Sequence, residues 1–181
     1  FAVRAAGNWS LGSQKLLHLM GGVDNMLSAT EPGNSPIDPN TPYAFQTQST
    51  PIRGFTQNTR NGSNMALINA EVRIPFWSTL SSRAAGSDLL EHLQFVGFAD
   101  LGSAWNGKHP YDDDNTFNQI TVTQNPITLT IDNNREPLIW GTGFGLRSYL
   151  FGYWVRADWC WGVDDGRWQE RLFALSLNLD F

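Results

Sequence analysis

Seven charged residues sit within stretches that are otherwise apolar: Arg4, Glu71, Arg73, Asp100, Arg147, Arg156 and Asp158. Charges in such surroundings must be paired or wet. Their chemistry is therefore ion pairing, or the lining of a hydrated space. Catalysis and metal binding need other patterns. His18, His92 and His109 are scattered without metal-ligand spacing. Asp112, Asp113 and Asp114 lack the regular spacing of a calcium loop and read as a solvated face. Ser10, Ser13 and Ser63 have no partner pattern for a nucleophile. Asp164-Asp165-Gly166 reads as a turn. Cys160, the single cysteine, has no disulfide partner in the chain and reads as an inert small residue. The reading is non-enzymatic, with no catalytic residue, cofactor or metal.

What must position these charges is a set of extended strands. In Arg171–Phe181 (RLFALSLNLDF), the residues Phe173, Leu175, Leu177, Leu179 and Phe181 share one face. Leu172, Ala174, Ser176, Asn178 and Asp180 share the other. About ten residues with this dyad pattern is the unit of an outer-membrane β-barrel, although a soluble β-sandwich also alternates. The same period recurs upstream. The reading predicts strands at Phe1–Ala6, Lys15–Val23, Met65–Ile74, Leu93–Trp105, Leu138–Leu150, Tyr153–Gly162 and Arg171–Phe181. With this phase all seven charges fall on one face and none on the other. In a soluble sandwich the outer face should carry charge and the inner face should be dry. Trp159 and Trp161 lie on the uncharged face near a strand end, which suits an interfacial girdle.

Composition points the same way. Charged residues are 16% of the 181, against about 25% in soluble proteins. Eight Trp, eleven Phe and seventeen Gly suit girdles and tight turns. The net charge of −5 argues against a nucleic-acid partner. No apolar run approaches the 18 residues of a membrane-crossing helix, which leaves strand crossings open.

Two connections are long: 24–64, which carries five prolines, and 106–136, of which Gln119–Ile131 suits a hairpin. Trp77–His92 is a medium connector with room for a helical turn. Counting back from the C-terminus puts both long loops on one side, as barrels require. Seven strands would leave open edges in lipid. The chain also starts without Met inside a strand, so the expectation is a C-terminal piece of a longer barrel.

Two motifs sharpen this. The first long loop contains Ile52-Arg53-Gly54-Phe55, and the fourth strand contains Phe98-Ala99-Asp100-Leu101-Gly102. With the C-terminal aromatic, these resemble the BamA/TamA family of outer-membrane assembly barrels, the bacterial surface antigen barrel. The stretch RGFTQNTRNGSNMALINAEVRIP is most similar to surface-antigen barrels of Bacteroidetes-type bacteria. The resemblance implies an all-β fold: a transmembrane antiparallel β-barrel, with this chain as the last seven or so of sixteen strands. It implies that the V-R-G-F/Y motif, here with Ile52 for Val, tips an extracellular loop that folds back into the lumen. There Arg53 would pair with Asp100, and Glu71 matches a second acidic position. Gly54 would allow close backbone approach. The implied loop-anchoring set is Arg53, Gly54, Phe55, Glu71, Asp100 and Gly102. The implied C-terminal strand signal is Phe173, Leu175, Leu177, Leu179 and Phe181.

The function expected from the resemblance is insertion of client outer-membrane proteins, or polypeptide translocation, in a Gram-negative outer membrane. Expected partners are outer-membrane lipids and client barrels, with accessory lipoproteins as optional subunits. The first and last strands would form a weak seam, with Arg171–Phe181 on one side. A second reading makes the barrel an anchor or exporter for an attached domain, such as a patatin-like lipase or a β-propeller. A third is a soluble β-sandwich binding module.

Overall fold

The computed structural model describes residues 1–27, 33, 35–76, 91–112, 115, 118–132 and 135–178. Leu179 and Phe181 of the expected C-terminal signal lie outside the described residues, as do most of the Trp77–His92 connector and parts of Asp112–Asn115. Among the described residues the elements are all strands. In chain order they are β1 (Ala2–Trp9), β2 (Lys15–Met20), β3 (Tyr43–Ser49), β4 (Arg60–Gly62), β5 (Asn64–Pro75) and β6 (Gln94–Trp105). There follow β7 (Gln119–Gln124), β8 (Ile127–Asp132), β9 (Ile139–Leu150), β10 (Tyr153–Asp164), β11 (Arg167–Trp168) and β12 (Leu172–Asn178).

The main sheet runs β1-β5-β6-β9-β10-β12, antiparallel throughout, with the two-residue β11 continuing the last turn. It does not close on itself: β1 and β12 stand at its two ends. Two-residue turns join β9 to β10 and β10 to β11, while longer connections join the other adjacent strands. Phe151-Gly152 and Asp165-Gly166 both have positive φ at both residues, the twist that suits a two-residue hairpin. β7 and β8 form a separate hairpin within the second long connection.

One expectation is corrected. The strand expected at Lys15–Val23 is not part of the main sheet. Trp9 at the end of β1 pairs with Asn64 at the start of β5, so the connection runs from Ser10 to Ser63 and contains β2. There β2 pairs in parallel with β3 and antiparallel with β4. The reason is burial. Leu17, His18 and Met20 point both ways and are all buried, which suits a strand covered on both faces. The main sheet thus has six long strands rather than seven.

The ladder registers fix the two faces. One is covered by the long Ser10–Ser63 segment and carries Arg4, Glu71, Asp100, Arg147, Arg156 and Asp158 in register. Between that segment and the sheet lies an apolar cluster of Met20, Ile52, Phe55, Leu67, Ala104 and Ile139. The other face is apolar and open. Ile68, Val72, Phe95, Leu101, Phe144, Leu146 and Phe173 are each 40% exposed or more. Across it runs an aromatic stripe, Phe95–Phe144–Trp159–Phe173, with ring centroids 6.0, 5.7 and 5.1 Å apart. Trp161 joins it through Phe144 at 5.9 Å.

His18 in β2 makes the loop sheet sensitive to acid. Its Nδ1 lies 3.3 Å from Ser49 Oγ, and its Nε2 is buried without a partner among the described residues. Burial holds its pKa below 6.5, so the folded sheet keeps the imidazole neutral. The unfolded segment takes up a proton near pH 6.5 that the folded one refuses. This contribution is therefore complete above that pH and declines as pH falls below it. Hydrogen exchange at the β2 amides should speed up relative to the intrinsic rate as pH drops below 6.5, and His18→Gln should flatten that dependence. An unchanged acid response in His18→Gln would rule out His18 as its source.

Candidate functional site

The tip of the long loop is held against the centre of the main sheet by one arginine. Arg53 follows Ile52, which bridges to Gly22 by two backbone hydrogen bonds of 3.1 Å. This fixes the direction in which the tip enters. Gly54 then turns with φ +90°, and a Cβ there would lie 2.6 Å from the Gly162 nitrogen and the Trp161 carbonyl carbon. No larger residue fits so close to β10. The sheet makes matching room. Gly141 faces the Arg53 carbonyl, Gly162 lies under the Phe55 ring, and Gly102 lies under the Ile52 side chain. Phe55 is buried among the apolar cluster.

The guanidinium of Arg53 spans two carboxylates. Its Nε donates to Asp100 Oδ2 at 2.6 Å and its Nη2 to Asp100 Oδ1 at 2.7 Å, a bidentate fork. Its backbone N–H donates to the same Oδ2 at 3.0 Å. Its Nη1 donates to Glu71 Oε1 at 2.7 Å. Asn69 Nδ2 completes Asp100 at 2.9 Å. The guanidinium carbon stacks 3.7 Å over the Phe98 ring, a cation–π contact. Side-chain exposure is 2% for Arg53 and 0% for Asp100. Burial by itself would lower the Arg53 pKa; Asp100 and Glu71 outweigh it and raise it further. The Arg53 side of the anchor is therefore permanently cationic.

Glu71 is shared. Arg147 binds it with Nη1 at 3.0 Å and Nη2 at 2.7 Å, and Arg73 Nε binds it at 2.9 Å. Three guanidinium groups thus converge on one carboxylate. A second clamp lies higher on the loop: Arg60 Nη2 pairs with Asp164 Oδ1 at 2.5 Å and also donates to the Glu136 carbonyl. Arg60 is 1% exposed.

The structure thus brings Arg53, Gly54, Phe55, Glu71, Asp100 and Gly102 together at one place. Phe173, Leu175 and Leu177 line up on the open apolar face of β12. Sequence reasoning missed Asn69, Phe98, Arg147 and the Arg60–Asp164 clamp as parts of the anchor. Of these, Arg147 had a usable signal, since its phase puts it on the charged face. The three histidines stand apart: His18 is in the loop sheet, and His92 packs on Tyr149 and Trp154 at 5.7 and 6.2 Å. Among the described residues no group of three or more His, Cys, Asp or Glu is placed to hold a metal ion. Comparison with protein-family models, with curated proteins and with solved structures gave no match.

The chemistry of this arrangement is positional: it holds an otherwise long connection at one depth on the sheet. Arg53→Ala and Asp100→Ala should each cost about 3–5 kcal/mol, because each leaves its partner buried and uncompensated. The double variant should be little worse than either single one, since one interaction is lost once. Urea unfolding of all three variants measures this, and additive losses would contradict it. Gly141→Val keeps both charges but fills the space of the Arg53 carbonyl. Limited proteolysis should then cut the Ser10–Ser63 segment in that variant but not in the parent.

Proposed function

We propose that this chain is wall and inserted loop of an outer-membrane barrel of the BamA/TamA type, which inserts client β-barrel proteins or translocates polypeptides. The observation that carries the reading is the Arg53 fork on Asp100, made by a loop folded back onto the charged face of the sheet. A chain of this type needs a lumen that is wet yet held in shape, and a loop pinned by its own arginine meets that need. The lengths also fit. Strands β5, β6, β9 and β10 are each 12 residues long, enough for a tilted crossing of about 9–11. The open face carries aromatics and aliphatics with no charge at mid-strand, as lipid contact demands. Lipids would cover that face, and client strands and accessory lipoproteins would be the protein partners.

Two experiments test this. Ile68→Arg or Leu146→Arg on the open face should cost roughly 2–4 kcal/mol in a bilayer if the position lies near the midplane. In water, substitution of a side chain so exposed would stay within about 0.5 kcal/mol, so a neutral result removes the lipid-facing assignment. For the activity, the full-length protein in liposomes should accelerate insertion of an unfolded outer-membrane barrel, and Asp100→Ala should reduce the acceleration. No acceleration by the parent protein would sink the assembly reading and leave the membrane assignment to the first test.

A further inference from the structure

The charged face holds more positive charge than the loop anchor uses. Between the loop residues Val23–Asn25 and Pro51 on one side and the main sheet on the other lies a cavity of about 480 Å³. Four guanidinium groups line it, those of Arg4, Arg73, Arg147 and Arg156, against two carboxylates, Asp24 and Glu71. Two positive charges are left over, and neither carboxylate is free to answer them. Asp24 accepts the Thr50 hydroxyl. Glu71 is already divided among Arg53, Arg73 and Arg147, and Arg53 is not part of the cavity wall.

Arg156 is the surplus. Among the described residues it makes no hydrogen bond and no ion pair. It stands directly opposite Arg147 in the β9–β10 ladder. Like charges in that position repel. Arg147 is 5% exposed, and its Nε is buried with no partner among the described residues. Among the described residues Arg4 is committed only through Nη1, to the Thr50 carbonyl at 3.1 Å. Asp158 lies two residues along from Arg156 on the same face, but it neither lines the cavity nor pairs with it. Arg147 spends Nη1 and Nη2 on Glu71 and keeps Nε, while Arg156 keeps its whole guanidinium, so an anion with several oxygens can take a fork from Arg156 and a further bond from Arg147. A phosphate group supplies those oxygens. The cavity also exceeds a bare phosphate, so a phosphate carrying a substituent fits too.

We propose that Arg147 and Arg156 hold a phosphate-bearing anion in this cavity, with Arg4 and Arg73 at its margin. The site does not depend on whether the protein assembles clients. Its ligand is either free phosphate or the phosphate of a lipid headgroup, and the same experiment separates the two. The full chain is folded in a maltoside detergent, which carries no phosphate. Inorganic phosphate is titrated at constant ionic strength, and phosphatidylglycerol is titrated separately in mixed micelles, with binding read by calorimetry and by the shift in Tm. Saturable binding of inorganic phosphate identifies the free anion. Saturable binding of phosphatidylglycerol alone identifies the headgroup. In either case Arg156→Gln should weaken binding at least tenfold, while raising the Tm of the unliganded protein because the repulsion with Arg147 is gone. Arg156→Lys keeps the charge but loses the fork, so its affinity should fall between the two, and it decides the matter if Arg156→Gln does not fold. Absence of saturable binding by both probes, or equal affinity in parent and Arg156 variants, overturns the proposal.

Discussion

A guanidinium with almost no water around it must keep its carboxylates or leave the site. That constraint organises this molecule. Arg53 lies on a connection of more than fifty residues between two adjacent strands, and nothing local would keep so long a segment in one place. Its fork on Asp100, its third bond to Glu71 and its seat on Phe98 hold it there. The glycines of β9 and β10 matter because they let backbone meet backbone at the depth where those bonds form, and Gly102 of β6 makes room for the Ile52 side chain. The small sheet of β2, β3 and β4 matters because it carries the tip at the right height.

The two faces of the main sheet follow from the same economy of charge. Every strand has period two, so one phase error would send the carboxylates and arginines into the apolar face. The ladder keeps them in step: Asn69 opposite Asp100, Asp100 opposite Gly141, Arg147 opposite Arg156. What remains on the far side is aromatic and aliphatic, joined by ring contacts from β6 to β12. Glu71 is shared by three arginines, and among the described residues Arg156 forms no ion pair.

Face assignment was legible in the sequence because alternation alone determines it. Height along the strands was not, and that is why Arg147 could be placed on the charged face yet not beside Glu71, 76 residues away. The Arg60–Asp164 clamp spans 104 residues and joins the start of β4 to the end of β10; in sequence each reads as an ordinary solvated charge. The assignment of Lys15–Val23 to the main sheet failed for a different reason. An apolar run says that a strand is buried, but not what buries it, and KLLHLM is covered by loop and sheet rather than by a strand ladder of the wall. His18 was the residue at odds with a lipid-facing or wall position, and its Ser49 neighbour belongs to β3.

At the end of the main sheet, β12 meets a short stretch of the long connection: Leu27 N–H donates to the Leu175 carbonyl at 2.7 Å, Leu177 N–H donates to the Asn25 carbonyl at 3.3 Å, and Met26 bridges to Ser176. These are main-chain bonds. They read no side chain, so the bonds themselves do not fix residue types. Position 26 is free to drift in identity, while position 25, at φ +53°, is restricted to residues such as Asn or Gly that tolerate the left-handed region. Proline at 27 is barred, since it would remove the donor. Insertions or deletions between Gly22 and Leu27 are barred too, because Gly22 is tied to Ile52 and the distance is set. Over evolutionary time this stretch should therefore keep its length more strictly than the side chain at 26, the reverse of what is usual for a surface loop.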